Sequence, residues 1–285
     1  MKTALGLVVS LLAGAASSGQ VVSGRANVPE PVLFYEVAGQ GTPVVLIHGG
    51  QMDRRMWDPQ FELFAKSFRV VRYDVRGYGR SATASLPYSD VDDLAALLDD
   101  LKIPKAHLVG LSLGGRIAID FAVVHLERVA SLVAVAPGLS GFPSDDDDAW
   151  IALWREAQEK GGEAAAEMWL KDPFMVPAME HPELAPRLRQ LAVDNARTWL
   201  SNPLLEKRLD PPAAKRLAEI RVPVLVVIGD RDVPHMQKVA DRLAAEVKGA
   251  KKVIIPGAGH ISNMEKPEEF NKAVLPFLKS QPPPS

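Results

Sequence analysis

The stretch Ala106-His107-Leu108-Val109-Gly110-Leu111-Ser112-Leu113-Gly114-Gly115 decides the fold. Ala106 to Gly110 is a short apolar run of the kind that forms a strand buried on both faces. From Leu113 to His125 the apolar spacing becomes that of a helix. Between them lies Gly110-Leu111-Ser112-Leu113-Gly114, a G-x-S-x-G pentapeptide with a strand before it and a helix after it. A serine on so tight a turn has a strained backbone, and glycine at both flanks leaves room for it. Such a turn pushes Ser112 Oγ out at the C-terminal edge of a sheet. The helix N-terminus behind it favours developing negative charge. Ser112 is the candidate nucleophile.

The same alternation extends in both directions. Strands are predicted at Val32–Val37, Pro43–Ile47, Phe68–Asp74, Ala106–Gly110, Val129–Ala136, Pro223–Ile228 and Lys252–Ile255. Helices are predicted from Ser89, where Asp92 follows at a capping-box spacing, and at Leu113–His125, Met236–Lys248 and Lys266–Lys279. Strands alternating with helices imply βαβ units, and so an α/β fold with a mostly parallel central sheet flanked by helices. The alternation breaks between Gly141 and Pro212, a stretch with helical patterns and four of the five tryptophans: Trp150, Trp154, Trp169 and Trp199. Residues 21–140 and 213–280 are therefore expected to form the core, and residues 141–212 a helical cap over the sheet. The acidic run Asp145–Asp148 fits the N-terminus of the first inserted helix. The tail, residues 281–285, is expected to be disordered.

Composition bounds the function. The chain has 285 residues, 47% apolar and 24% charged, with 33 basic and 35 acidic side chains and a formal net charge of −2. That is the balance of a globular protein, with no broad basic surface for nucleic acid. There is no cysteine, which removes disulfides, thiolate metal sites and a cysteine nucleophile. The six histidines show no HExxH or other paired spacing, so neither metal nor cofactor is expected. Met1-Lys2-Thr3 is followed by a run of apolar and small residues from Ala4 to Ala16, with Ala13-Gly14-Ala15 as an A-x-A cleavage pattern. Residues 1–20 therefore read as a secretory leader, too short to span a bilayer, and export without a stable membrane span is expected.

A serine nucleophile needs a base, and the base needs an orienting carboxylate. Gly229-Asp230-Arg231-Asp232-Val233-Pro234 follows one predicted strand and Gly257-Ala258-Gly259-His260 the next, in the order Ser…Asp…His. From about Val32 to Lys279 the chain resembles the α/β-hydrolase fold family. The resemblance implies Ser112 as nucleophile, His260 as general base and Asp232 as the acid, with Asp230 as the competing carboxylate. His48-Gly49-Gly50-Gln51-Met52-Asp53-Arg54-Arg55-Met56-Trp57 resembles the oxyanion loop of the enol-lactonase, aryl esterase and cofactor-free haloperoxidase branch. Gly257 to Phe270 resembles the same branch. The oxyanion donors implied are the backbone N–H groups of Leu113 and Gly50, with Gln51 as the alternative to Gly50. His48 and the loop Asp74-Val75-Arg76-Gly77-Tyr78-Gly79-Arg80-Ser81 are structural by the same likeness. Serine at the elbow excludes the haloalkane dehalogenase and epoxide hydrolase pattern, which has aspartate there.

The expected activity is hydrolysis of a small carboxylic ester or lactone through an acyl-enzyme. Perhydrolysis or C–C bond hydrolysis on the same triad, and a slow-turnover ligand receptor, are the alternatives. The four inserted tryptophans, with Met168, Met175 and Met179, are candidates for an apolar substrate pocket, and His181 for a pocket-facing histidine.

Overall fold

A computed structural model describes residues 20–26, 33–143 and 147–282. Residues 1–19, with nearly all of the predicted leader, lie outside the described residues, as do Val32, Asp145, Asp146 and the last three residues of the tail. Among the described residues no helix is long and apolar enough to cross a membrane.

Among the described residues eight strands, β1 (Val22–Ala26), β2 (Leu33–Ala38), β3 (Pro43–Ile47), β4 (Arg69–Tyr73), β5 (Ala106–Leu111), β6 (Val129–Val135), β7 (Val224–Gly229) and β8 (Lys251–Ile255), form one sheet in the order β1-β2-β4-β3-β5-β6-β7-β8. β1 and β2 are antiparallel to their neighbours; all pairings from β4 to β8 are parallel. Ten helices accompany them among the described residues: α1 (Asp58–Ala65), α2 (Asp90–Asp100), α3 (Leu113–Val124), α4 (Asp147–Lys160), α5 (Gly162–Trp169), α6 (Val176–Met179), α7 (Ala185–Asp194), α8 (Pro234–Glu246), α9 (Ser262–Glu265) and α10 (Pro267–Lys279).

The apolar runs explain the layering. In β3, Val44 and Leu46 join an apolar cluster with Phe61 and Phe64 of α1 and Phe270 and Val274 of α10. Val45 and Ile47, pointing the other way, join Leu94 and Leu97 of α2, Ile117 and Phe121 of α3 and Leu243 of α8. Alternation of side chains along a strand thus feeds both faces, and helices cover each. Ser89 caps α2 as its spacing implies, its Oγ accepting from Asp92 N at 3.2 Å.

Three elements, β1, α1 and the four-residue α9, go beyond the sequence expectation. β1 has the sequence VSGRA and is half exposed at the sheet edge, so no apolar run announces it. α1 has only eight residues with proline in its first turn, too short for a periodic signal.

Between β6 and β7 the chain forms α4 to α7 and several 3-10 turns. The buried side chains here, Leu153, Trp169, Leu188 and Trp199 among them, belong to the same cluster as Met52, Trp57 and Phe64. The inserted helices pack on one another, and their buried side chains run without a break into that cluster. Because β3 to β8 run parallel, the loops carrying His48, Asp74, Ser112, Asp232 and His260 emerge at the same edge, beside the insertion.

Candidate active site

Ser112 sits between β5 and α3 with φ 54° and ψ −110°, a conformation that costs an L residue about 1–3 kcal/mol. The surroundings hold it there. Its N–H donates to Val135 O at 2.9 Å, and its carbonyl accepts from Arg116 N at 2.9 Å and Gly138 N at 3.0 Å. The flanking glycines are required by close approach. A Cβ at Gly110 would lie 2.1 Å from Gly114 O, and one at Gly114 would lie 2.2 Å from Ile47 O.

His260 is buried in the loop after β8, and its Nδ1 lies 3.0 Å from Asp232 Oδ2. Asp232 follows β7, and its other oxygen accepts from Val233 N at 2.8 Å. Burial alone would lower the histidine pKa. The Asp232 charge and hydrogen bond, with Glu265 and Asp172 farther off, outweigh that and raise it above the ordinary value. Asp230 does something else: its Oδ1 accepts from Gly257 N at 2.7 Å, tying the turn after β7 to the turn after β8.

Glu265 is a site residue that the sequence reading passed over. It is buried, and its two oxygens accept from Gly259 N at 2.7 Å and Ile261 N at 3.0 Å, clamping the backbone on both sides of His260. Burial raises its pKa against the lowering effect of those two bonds. The available signal was its place five residues after the histidine in a loop that needs its N–H groups satisfied. Asn263 completes the support by donating to Met56 O at 3.0 Å.

Gly50 and Leu113 stand next to each other: a Cβ at Gly50 would lie 3.9 Å from the Leu113 Cβ and from the Tyr78 hydroxyl. Gln51, the alternative donor, has φ 59°, and its backbone amide interacts with the Tyr78 hydroxyl. Its side-chain oxygen accepts from Thr198 Oγ1 of the insertion at 2.5 Å. His48 is fully buried. Its Nε2 accepts from Val75 N at 2.8 Å, which leaves the ring proton on Nδ1, 2.7 Å from Gly49 O. Burial lowers its pKa, so it is a neutral brace. Asp74 accepts from Arg54 N at 3.0 Å and Arg80 N at 2.8 Å, which fastens the Asp74–Ser81 loop to the His48–Trp57 loop.

Two cavities meet here. A void of about 30 Å³ is lined by Ser112, His260, Gly50, Trp169 and Met175. Beside it lies a cavity of about 460 Å³ lined by Tyr78, Tyr88, Trp150, Trp154 and Trp199. Each of the four inserted tryptophans therefore reaches a cavity wall, and Trp150 reaches both. Trp169 and Trp199 are buried, while Trp150 and Trp154 are 42% and 49% exposed. Of the three methionines only Met175 lines either of these cavities; Met168 is turned to solvent, 41% exposed, because its helix presents Ala165 and Trp169 inward instead. His181 lines neither cavity and lies 3.4 Å from Glu183. Among the described residues no three histidine or carboxylate side chains cluster as metal ligands would.

Comparisons with known proteins bear on the family and the fold. The chain is 32% identical over 273 residues to the dihydrolipoyllysine-residue acetyltransferase component of an acetoin cleaving system of Pseudomonas putida, a match covering 86% of this chain and 66% of that longer protein. It is 30% identical over 259 residues to 3-oxoadipate enol-lactonase 2 of Acinetobacter baylyi, covering 87% and 93%. The crystal structure of the enol-lactonase from Burkholderia xenovorans superimposes with a TM-score of 0.79 at 30% identity, covering 90% of this chain and all of that one. Residues 44–273 match the alpha/beta hydrolase family as a whole, and the chain belongs to that family of α/β-fold hydrolases.

Proposed function

We propose that the chain is a serine hydrolase that cleaves a small-molecule carboxylic ester or lactone through an acyl-enzyme. The observation that carries this reading is the His260 Nδ1–Asp232 Oδ2 contact at 3.0 Å, with His260 and Ser112 lining one void. In the proposed mechanism Ser112 Oγ attacks the acyl carbon while its proton passes to His260 Nε2. Asp232 holds the proton on Nδ1 and stabilises the imidazolium. The oxyanion is met by the N–H groups of Gly50 and Leu113. His260 then protonates the departing alkoxide, and the same histidine activates the water that frees the acid and restores Ser112. The likeness to enol-lactonases supports an ester or lactone carbonyl as the target.

The test is labelling with a fluorophosphonate, followed by steady-state assays on ester, lactone and amide panels. Labelling at Ser112 with rapid ester or lactone turnover supports the reading; an unlabelled Ser112 and no turnover overturn it. We further propose export, on the strength of the apolar run Ala4–Ala16 and its A-x-A end. N-terminal sequencing of the mature protein from a bacterial host tests this: an intact Met1 would refute it.

A further inference from the structure

The insertion returns to the core through residues 205–208, and a buried charge cluster lies where it does so. Tyr88 N donates to Leu205 O at 2.9 Å and Lys207 N to Tyr88 O at 2.7 Å, a short parallel bridge just ahead of α2. Between these bonds the Glu206 side chain meets Arg116 of α3. Arg116 Nη2 lies 2.7 Å from Glu206 Oε1 and donates to Asp90 Oδ2 at 2.9 Å. One guanidinium nitrogen therefore holds two carboxyl groups side by side. Asp90 Oδ1 is buried with no donor among the described residues, although the Asp90 and Glu206 side chains stand within hydrogen-bond reach of each other. Two ionised carboxylates have only acceptors to offer one another, so this contact needs a proton.

The surrounding charges agree. Asp90, Asp120 and Glu206 bring three carboxyls; Arg116 and Arg208, the latter 2.9 Å from Glu206 Oε2, bring two guanidiniums. Asp93 is paired with Arg76, and Asp120, itself raised by burial, accepts from Ser140 Oγ at 2.6 Å. Asp92, Lys207 and Asp210 are exposed. Tyr73, Tyr78 and Tyr88 also face Asp90 and stay neutral, pushed up chiefly by burial. Burial pushes the Asp90 carboxyl up to about 7 against the Arg116 charge, with Glu206 and Asp93 adding to the rise.

We infer that Asp90 and Glu206 share a proton and so form a pH-sensitive latch that fastens the end of the insertion to the core. Glu206 and Arg208 line the cavity of about 460 Å³, so the latch holds one of its walls. Opened to water, Asp90 returns towards the ordinary carboxylate value of about 4. Opening of residues 205–208 therefore releases a proton at any pH between about 4 and about 7. The opening constant climbs with pH across that window, by at most about tenfold per unit, and is level above it. The latch holds best in acid, the opposite of what a neutral His260 requires.

The test is hydrogen exchange of the full chain, read by mass spectrometry on peptides carrying the bridge amides of Tyr88 and Lys207. Wild type and Asp90→Asn are compared at matched pH from 5.5 to 8.5. Asparagine cannot ionise, and its amide donates to Glu206 without a shared proton. Intrinsic exchange and all titrations common to the two proteins cancel in the ratio. Wild-type protection relative to Asp90→Asn should fall by at least about 10-fold between pH 5.5 and 7.5, then stay level to 8.5. Glu206→Gln, which removes the other carboxyl, should serve as the same reference and replaces Asp90→Asn should that variant not fold. A ratio that is flat over the whole range, or that rises with pH, overturns the latch. The test needs no turnover, so its result is independent of the hydrolase reading.

Discussion

The strand-end loops and the helical insertion face the same cavities but are held in different ways. Ser112, Asp232 and His260 sit directly after β5, β7 and β8, and the bonds that fix them run mostly to backbone: Val135 O, Val233 N, and the Gly259 and Ile261 N–H groups that Glu265 clamps. The insertion is tied down largely by side chains. Buried Asn195 reaches across to accept from Gly79 N at 2.7 Å and to donate to Asp53 at 3.0 Å, and Thr198 bonds Gln51. Trp150 and Trp154 remain half exposed. Groups that must stay within a fraction of an ångström of one another hang from the rigid sheet. The part that shapes the pocket hangs from contacts that single substitutions can alter.

Removing the chemistry on the sheet side should have the largest effect. Ser112→Ala should lower kcat by about 10⁴–10⁶-fold and abolish fluorophosphonate labelling, with the melting temperature maintained or raised because the strained turn is unchanged in shape. Residual turnover near the wild-type level in a pure preparation would remove Ser112 from its role. Asp232→Asn should cost about 10⁴-fold in kcat by favouring the wrong imidazole tautomer. It should also move the pH profile. His260 has a raised pKa and must be neutral to act as base, so wild-type kcat/KM should fall with decreasing pH through a midpoint above the ordinary value of about 6.5. Without the Asp232 charge that midpoint should drop. An unchanged midpoint in the variant would break the link between the 3.0 Å contact and the base.

Smaller effects separate support from chemistry. Glu265→Ala leaves two buried backbone N–H groups without acceptors, at about 1–3 kcal/mol each, and should lower both melting temperature and kcat. A variant with wild-type stability and rate would show that the clamp is dispensable. Asn195→Ala removes one tie between the insertion and the Asp74–Ser81 loop and leaves those that Arg197 makes to the Gly77, Gly79 and Ser81 carbonyls. It should increase hydrogen exchange in α7 while leaving the pH midpoint in place, because no group around His260 changes. Spread of the exchange into β5 would deny the division between the two regions. Asp230→Asn should do least, about 0.5 kcal/mol or under, since an amide oxygen can still accept from Gly257 N at this exposed position. A large rate loss there, matched by little in Asp232→Asn, would exchange the two aspartates.

Much of this was legible before any coordinates. Short, β-branched apolar runs bounded by glycine and proline suit strands buried on both faces, and their alternation with helical patterns made a parallel sheet the expectation. The glycines around Ser112 announced a turn that tolerates no Cβ, and the order Ser…Asp…His placed three chemical groups after three of the predicted strands. Polar-rich edge strand β1 and one-turn or two-turn helices such as α1 and α9 carry too few residues for periodicity to register.

Only the tertiary structure decided which carboxylate meets His260, because Asp230 and Asp232 are two residues apart and only backbone direction at the end of β7 tells them apart. It alone revealed Glu265 and Asn195 as supports, since both partners of Glu265 and one of those of Asn195 are backbone groups that no side-chain motif encodes. It alone divided the tryptophans between two cavities of unequal size. Helical spacing shows that an aromatic side chain faces inward; which empty space it borders depends on how the insertion packs against residues a hundred positions away.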